Sequence, residues 1–153
     1  MESRMNHPAI IVANAMSALQ SVGAAIAATG LPPALVELAN LRASQINGCA
    51  VCLEGAVRDA RKADEIDDRL FLVSAGREAP TMFSDAERAA LALTEAVTRL
   101  SDRTDPVSNE IWADAASHFD ETQLAALVLQ IANINLWNRL NVATRQYAGV
   151  HTW

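Results

Sequence analysis

Helix-start and helix-stop signals recur along this chain, and they constrain its fold more than any other feature. Ser84 is followed three residues later by Glu87, and Asp120 is followed in the same way by Gln123. Each pair forms a capping box, which is typical of a helix N-terminus. No hairpin signal flanked by alternating apolar and polar residues occurs. The sequence therefore predicts an all-α fold.

Proline, glycine and capping residues divide the chain into seven predicted helices. Their approximate bounds are 8–28, 31–45, 48–61, 67–77, 84–100, 108–117 and 121–147. With 153 residues, 51% of them hydrophobic, the chain can bury one core but is too short for two independent ones. We expect residues 1–153 to form a single domain.

Two long segments carry no charge. The first, from Ala9 to Thr29, could belong to a signal peptide or a membrane span, but polar residues interrupt it and Glu2 offsets Arg4 just before it. We therefore expect a buried helix of a cytoplasmic protein. The second, from Leu124 to Asn138, predicts a last helix buried centrally or in a subunit interface.

The charge distribution argues against two classes of partner. Eighteen acidic residues against twelve basic ones give a net charge of −6, and no segment gathers Lys and Arg without interleaved Asp and Glu. Nucleic acid and anionic membrane surfaces attract proteins through clusters of positive charge. We expect neither to be a partner.

The two cysteines, Cys49 and Cys52, lie three residues apart at a predicted helix start. At this spacing they share one helix face, close enough for a disulfide. The first helical turn offers unpaired N–H groups and the positive end of the helix dipole, which favour thiolate. A thiolate attacks peroxides and disulfides, and a neighbouring thiol can resolve the resulting sulfenic acid. The pair therefore suits two-electron redox chemistry.

Three other interpretations of the pair compete with this one. Free cysteines are often simply buried in a core. A zinc site needs two further ligands, yet His7, His118 and His151 show no ligand spacing. A thioredoxin-like motif would follow a strand, which the helical surroundings oppose. We expect neither a metal nor a cofactor.

Polar residues in apolar helices are the other candidates for function. A carboxylate such as Glu37 can have a raised pKa in an apolar setting and shuttle protons, although a solvent-facing glutamate is the simpler interpretation. The last helix carries four asparagines beside Trp137 and Arg139, namely Asn133, Asn135, Asn138 and Asn141. Buried amides need hydrogen bonds, so these side chains predict contacts between helices or subunits, with pocket lining as the alternative.

Four motifs together resemble a known family. They are ELANLRASQINGCAVC over residues 37–52, RDARK over 58–62, SDAERAALALTE over 84–95 and INLWNR over 134–139. In order and spacing they resemble the AhpD-like alkylhydroperoxidases of the carboxymuconolactone decarboxylase superfamily, over most of the chain from about Leu31. The resemblance implies an AhpD-like bundle of six or seven helices that assembles as a dimer, trimer or hexamer.

The resemblance also implies an activity and residue roles. It implies reduction of hydroperoxides with electrons from a partner dithiol such as a lipoylated protein. The cysteine matching Cys52 attacks the peroxide, the one matching Cys49 resolves the sulfenic acid, and the glutamate matching Glu37 belongs to a proton relay. Dipole reasoning alone would instead make Cys49, nearer the helix start, the more acidic thiol.

The chain departs from the family pattern at Ala56, where a histidine is expected four residues after the second cysteine. Without that imidazole the relay lacks its middle member, and general acid–base assistance typically contributes about a hundredfold or more to rate. Water could bridge the gap, or Glu54 or Arg58 could turn inward. Gly55 beside Ala56 leaves space for a bulkier substrate or for water.

The leading hypothesis is a thiol-dependent peroxidase that works through Cys52 and Cys49. One alternative is a non-catalytic or redox-sensing homo-oligomer with the same fold. A second alternative is a decarboxylase or ring-opening enzyme, but that branch of the superfamily does not use a Cys-x-x-Cys pair.

Overall fold

The computed structural model describes residues 2–150, and within that range the chain is helical and contains no strand. Eight α-helices and one 3-10 helix follow each other in the order α1 Pro8–Ile11, α2 Ala15–Ala27, α3 Pro33–Asn47, α4 Ala50–Lys62, α5 Asp67–Leu72, the 3-10 helix Val73–Glu78, α6 Asp85–Thr98, α7 Asn109–His118 and α8 Glu121–Thr144. The predicted all-α fold is confirmed. No helix in the described range is both long and apolar enough to cross a membrane.

The capping signals begin helices where the sequence predicts. The Ser84 hydroxyl accepts a hydrogen bond from the Glu87 N–H, and the Glu87 carboxylate accepts one from the Ser84 N–H. Asp120 and Gln123 make the same reciprocal pair at the start of α8. These bonds satisfy N–H groups that a helix start leaves without partners inside the helix.

Helix α3 lies at the centre of the molecule and packs against α4, α6 and α8. It contributes to two hydrophobic clusters. One joins it to α2, α6, α7 and α8 and includes Leu35, Leu93, Leu127 and Ile131. The other joins it to α4, α5, the 3-10 helix and α6 and includes Leu38, Ala56, Phe83 and Leu91. Both clusters pack against α3. The N-terminus of α4, which follows α3 after a short turn, therefore has a fixed position.

The prediction of one buried helix over residues 8–28 is wrong. Asn14 adopts the left-handed conformation with φ 65°, which asparagine tolerates better than most residues, and this separates α1 from α2. The main neighbours of helix α2 are α1 and α8. With so few neighbours, α2 has one buried residue, Ile26. Ile10, Ile11 and Val12 are exposed. The uncharged run therefore forms surface in this chain.

Two other predicted helices have different bounds. The segment 67–77 is α-helical only as far as Leu72 and continues as the 3-10 helix, which contains a kink at Ala75. Helix α8 ends at Thr144 rather than Tyr147, because Arg145 adopts the left-handed conformation with φ 54°. A left-handed residue closes a helix by redirecting the chain.

Candidate functional site

The two cysteines form a disulfide at the N-terminus of α4, with their Cα atoms 5.3 Å apart. The chain reverses between α3 and α4 at Gly48, whose φ of 66° suits a residue without a Cβ. Cys49 is the N-cap of α4, and its sulfur accepts a hydrogen bond of 3.3 Å from the Cys52 N–H. Both sulfurs therefore lie at the positive end of the helix dipole.

The two sulfurs differ in their surroundings. Cys49 is 2% exposed, whereas Cys52 is half-buried. The Cys52 Sγ accepts a hydrogen bond of 3.4 Å from Asn141 Nδ2 on α8. An approaching molecule therefore meets the Cys52 side of the pair first.

A network of amides on α8 fixes the end of α3, immediately before the disulfide. Asn47 Nδ2 donates to Asn135 Oδ1 at 2.9 Å and to Asn138 Oδ1 at 2.8 Å. Asn138 Nδ2 in turn donates to the buried Ser44 Oγ at 3.0 Å. The predicted helix-to-helix role is confirmed for Asn135 and Asn138.

Asn141 lines a cavity, which is the alternative role predicted for the asparagines of α8. The cavity has a volume of about 350 Å³ and is lined by His7, Met16, Gln20, Arg58, Trp137 and Asn141. The sequence analysis considered His7 only as a metal ligand. Trp137 and Asn141 stand one helical turn apart on α8 and could have indicated a shared face.

Glu37 is partly buried, and charged residues in the later half of α4 lie near enough to act on its carboxyl. Burial raises the pKa of its carboxyl, and the nearby Asp59 acts in the same direction. The hydrogen bond that it accepts from Asn40 Nδ2 at 3.2 Å opposes part of this effect, as do the charges of Arg58 and Lys62. The Glu37 side chain is therefore shielded in part from solvent.

Glu37 and the disulfide lie at different levels of the α3–α4 pair. Counting 1.5 Å per residue back from the turn at Gly48, Glu37 and Cys52 are offset by roughly 10 Å along the helices. Ala56 lies between these levels but is buried in the second hydrophobic cluster. It packs against apolar neighbours, so the space that Gly55 and Ala56 were expected to leave is filled there.

The charged residues near Ala56 do not replace a histidine at that position. The Glu54 carboxylate accepts hydrogen bonds of 3.2 and 3.0 Å from the Gly149 N–H, so it holds the C-terminal segment. Arg58 lines the cavity, but its guanidinium is bonded to both carboxylate oxygens of Asp59. Within residues 2–150 no group of three or more His, Cys, Asp or Glu side chains could hold a metal ion.

The other two histidines of the chain are His118 and His151. His118 ends α7, where a cation is favoured by the helix dipole, and its Nε2 lies 3.7 Å from Asp114. His151 lies outside the described residues.

Comparisons with known proteins agree on the ancestry of this chain. Residues 13–96 match the carboxymuconolactone decarboxylase family. The uncharacterized protein YdfG of Bacillus subtilis strain 168 is 39% identical over 107 residues, which are 70% of this chain and 71% of that protein. An Agrobacterium tumefaciens protein of unknown function, provisionally assigned to AhpD-type antioxidant defence, has a crystal structure that superposes with a TM-score of 0.88. That match has 29% identity and covers 98% of this chain and all of the other. The chain thus belongs to the carboxymuconolactone decarboxylase family and has the AhpD-like fold.

Proposed function

We propose that this protein is a thiol-dependent peroxidase that reduces organic hydroperoxides through Cys52 and Cys49. The observation that carries the proposal is the asymmetry of the pair. Cys52 is half-buried beside a cavity-lining amide, while Cys49 is buried directly behind it. This arrangement suits one sulfur that meets the peroxide and a second that meets only the first.

The reaction proceeds in three balanced steps. The Cys52 thiolate attacks the terminal oxygen of the hydroperoxide, the O–O bond breaks, and the leaving alkoxide takes a proton to become the alcohol. The Cys49 thiol then attacks the Cys52 sulfenic acid, which forms the S–S bond and releases water. An external dithiol, such as a lipoyl group on a partner protein, reduces the disulfide and is itself oxidised. Because Cys52 is the accessible sulfur, exchange begins there.

Glu37 is the proton reservoir in this proposal. Its raised pKa keeps the carboxyl protonated to higher pH than usual, which suits a group that supplies a proton. The roughly 10 Å offset along the helices leaves water to carry the proton to the thiol, since Ala56 cannot. We therefore expect turnover with a peroxide step slower by about a hundredfold than a complete relay would give.

Assembly into a homo-oligomer is part of the proposal. Ile10, Ile11 and Val12 at the end of α1, and Leu129 and Val142 on α8, are large apolar side chains exposed in the single chain. Ile10, Ile11 and Val12 are consecutive, and neighbouring exposed apolar side chains are typical of sites that another protein covers. A dimer, trimer or hexamer would bury them.

Sulfenic acid trapping with dimedone tests the assignment of roles. After reduction and addition of one equivalent of cumene hydroperoxide, a Cys49→Ser variant should accumulate dimedone adduct on Cys52, and a Cys52→Ser variant should form none. Adduct on Cys49 in Cys52→Ser, with none on Cys52 in Cys49→Ser, would reverse the roles. If neither variant forms adduct and the wild type keeps both thiols, the protein is not a peroxidase.

The second candidate function is a redox-sensing scaffold, which the burial of Ala56 in an apolar cluster favours. In that case the pair would oxidise no faster with peroxide than a free thiol does. Stopped-flow counting of thiols in the wild type distinguishes the two functions.

A further inference from the structure

The cavity that Asn141 lines is built by parts of the chain that are far apart in sequence. Its walls come from the N-terminal segment, α2, α4 and α8. The His7 ring stacks on Trp137 with centroids 5.6 Å apart, and Met16 adds a further apolar surface. His7 Nδ1 accepts a hydrogen bond of 3.2 Å from the Ala9 N–H, which fixes the ring in place. His7, Trp137 and Asn141 lie outside the family-matched residues 13–96.

Asn141 connects this cavity to the reactive sulfur. Its Nδ2 donates to Cys52 Sγ, and the side chain is only 6% exposed. Its Oδ1 is the one buried side-chain nitrogen or oxygen in residues 2–150 that has no hydrogen-bond partner. Buried acceptors are nearly always satisfied, so an acceptor left in this position fits a donor that arrives with a ligand.

We propose that Asn141 binds the hydroperoxide group and that the cavity holds its apolar substituent. The peroxide O–H donates to Asn141 Oδ1, while Nδ2 of the same amide holds the Cys52 sulfur. One side chain thus brings the terminal oxygen and the attacking sulfur together. This inference rests on the peroxidase function proposed above and assigns the substrate's position within it.

The composition of the cavity selects a neutral and bulky substituent. A volume of about 350 Å³ lies at the lower end of the roughly 300–1,000 Å³ that small-molecule sites occupy. Arg58, the one charged group in the lining, already pairs with Asp59, so a neutral ligand meets no unpaired charge there. Each buried methylene should raise kcat/KM by about fourfold. Hydrogen peroxide leaves the apolar wall uncovered and gains nothing from it.

Selectivity among peroxides tests the cavity. The rate of Cys52 oxidation is measured with cumene hydroperoxide and with hydrogen peroxide, each divided by its rate with free dithiothreitol. The wild type should favour cumene hydroperoxide by about a hundredfold. Trp137→Ala and the milder Met16→Ala should each lower this ratio by fivefold or more. Trp112→Ala, which removes an exposed tryptophan on α7 outside the cavity, should keep it.

The test of Asn141 as the residue that binds the peroxide compares two reactions of Cys52, because a general loss of structure would slow both reactions equally. In Asn141→Leu, the rate with cumene hydroperoxide should fall about tenfold more than the rate of Cys52 alkylation by iodoacetamide, which has no peroxide O–H to position. Asn141→Gln, which keeps the amide, should recover part of the difference. An equal fall in both rates would overturn the role of Asn141 in binding the peroxide.

Binding of the product alcohol separates this inference from the proposed function. 2-Phenylpropan-2-ol should shift the amide resonances of α8 around Trp137 in the oxidised wild type and should bind more weakly to Trp137→Ala. Oxidation by peroxides without selectivity and without alcohol binding would overturn the cavity assignment and leave the peroxidase intact. Alcohol binding in a protein that no peroxide oxidises faster than a free thiol would instead remove the function on which the inference rests.

Discussion

Removal of the Asn138 amide should destabilise the protein through the link between α3 and α8. Asn138 is 1% exposed; it donates to Ser44 Oγ at 3.0 Å and accepts from Asn47 Nδ2 at 2.8 Å. In Asn138→Ala each lost hydrogen bond costs about 1 kcal/mol, and the buried Ser44 hydroxyl loses its partner as well. Because alanine has a higher helix propensity than asparagine, the substitution recovers about 0.5 kcal/mol of stability. The free energy of unfolding should therefore fall by about 2 to 3 kcal/mol.

Urea unfolding of the oxidised protein measures this change, and the melting temperature should fall by about 5 to 10 °C. The matched control is Asn133→Ala on the same helix, since Asn133 is half-buried and its side chain makes no hydrogen bond among the described residues. Asn133→Ala gains the same helix propensity as Asn138→Ala but loses no side-chain hydrogen bond. If the two variants unfold within about 0.5 kcal/mol of each other, the amide network contributes no net stability and the reasoning fails.

Two further predictions concern the proton relay. Because burial raises the pKa of Glu37, the folded protein binds this proton more tightly than the unfolded chain does, so its contribution to stability is complete at acid pH and is lost as pH rises through the folded pKa. Glu37→Gln should therefore become progressively more stable than wild type as pH rises. Urea unfolding from pH 4 to 8 measures the free energy of unfolding of both proteins, with Glu78→Gln as the exposed control. A difference in stability between Glu37→Gln and wild type that stays constant across that range would contradict the prediction. Ala56→His should lower the free energy of unfolding by about 2 kcal/mol, since the imidazole must enter a filled apolar cluster, whereas Ala50→His at the exposed start of the same helix should change it little. Equal stabilities for these two variants would mean that the space beside Ala56 accepts a ring.

Local signals were sufficient to predict most of the helices. The capping boxes at Ser84 and Asp120 depend on residues three positions apart, so the sequence contains all that they need. The break at Asn14 was missed because several residues tolerate the left-handed conformation without adopting it. The exposure of α2 was missed because hydrophobicity does not reveal how many neighbours cover a helix.

The candidate site was predictable only in part. The cysteine pair is visible in the sequence because its two members share one helical turn. The cavity depends on His7 meeting Trp137 across most of the chain, and no spacing rule contains such a contact. Asn135, Asn138 and Asn141 are buried as predicted, whereas Asn133 is only half-buried. The division between helix contacts and cavity lining follows from which helix each buried asparagine faces.

The N-terminal segment is tied to the end of α8 and to Gln146 just beyond it by several hydrogen bonds. Arg4 donates from its backbone N–H to the Thr144 carbonyl and from its side chain to the Ala143 carbonyl. Neither hydrophobic cluster contains a residue before Val22, but His7 and Ala9 are buried and the His7 ring stacks on Trp137. Three of the six residues that line the cavity, His7, Met16 and Gln20, precede Val22. The shape of the cavity therefore depends on packing that lies outside both hydrophobic clusters.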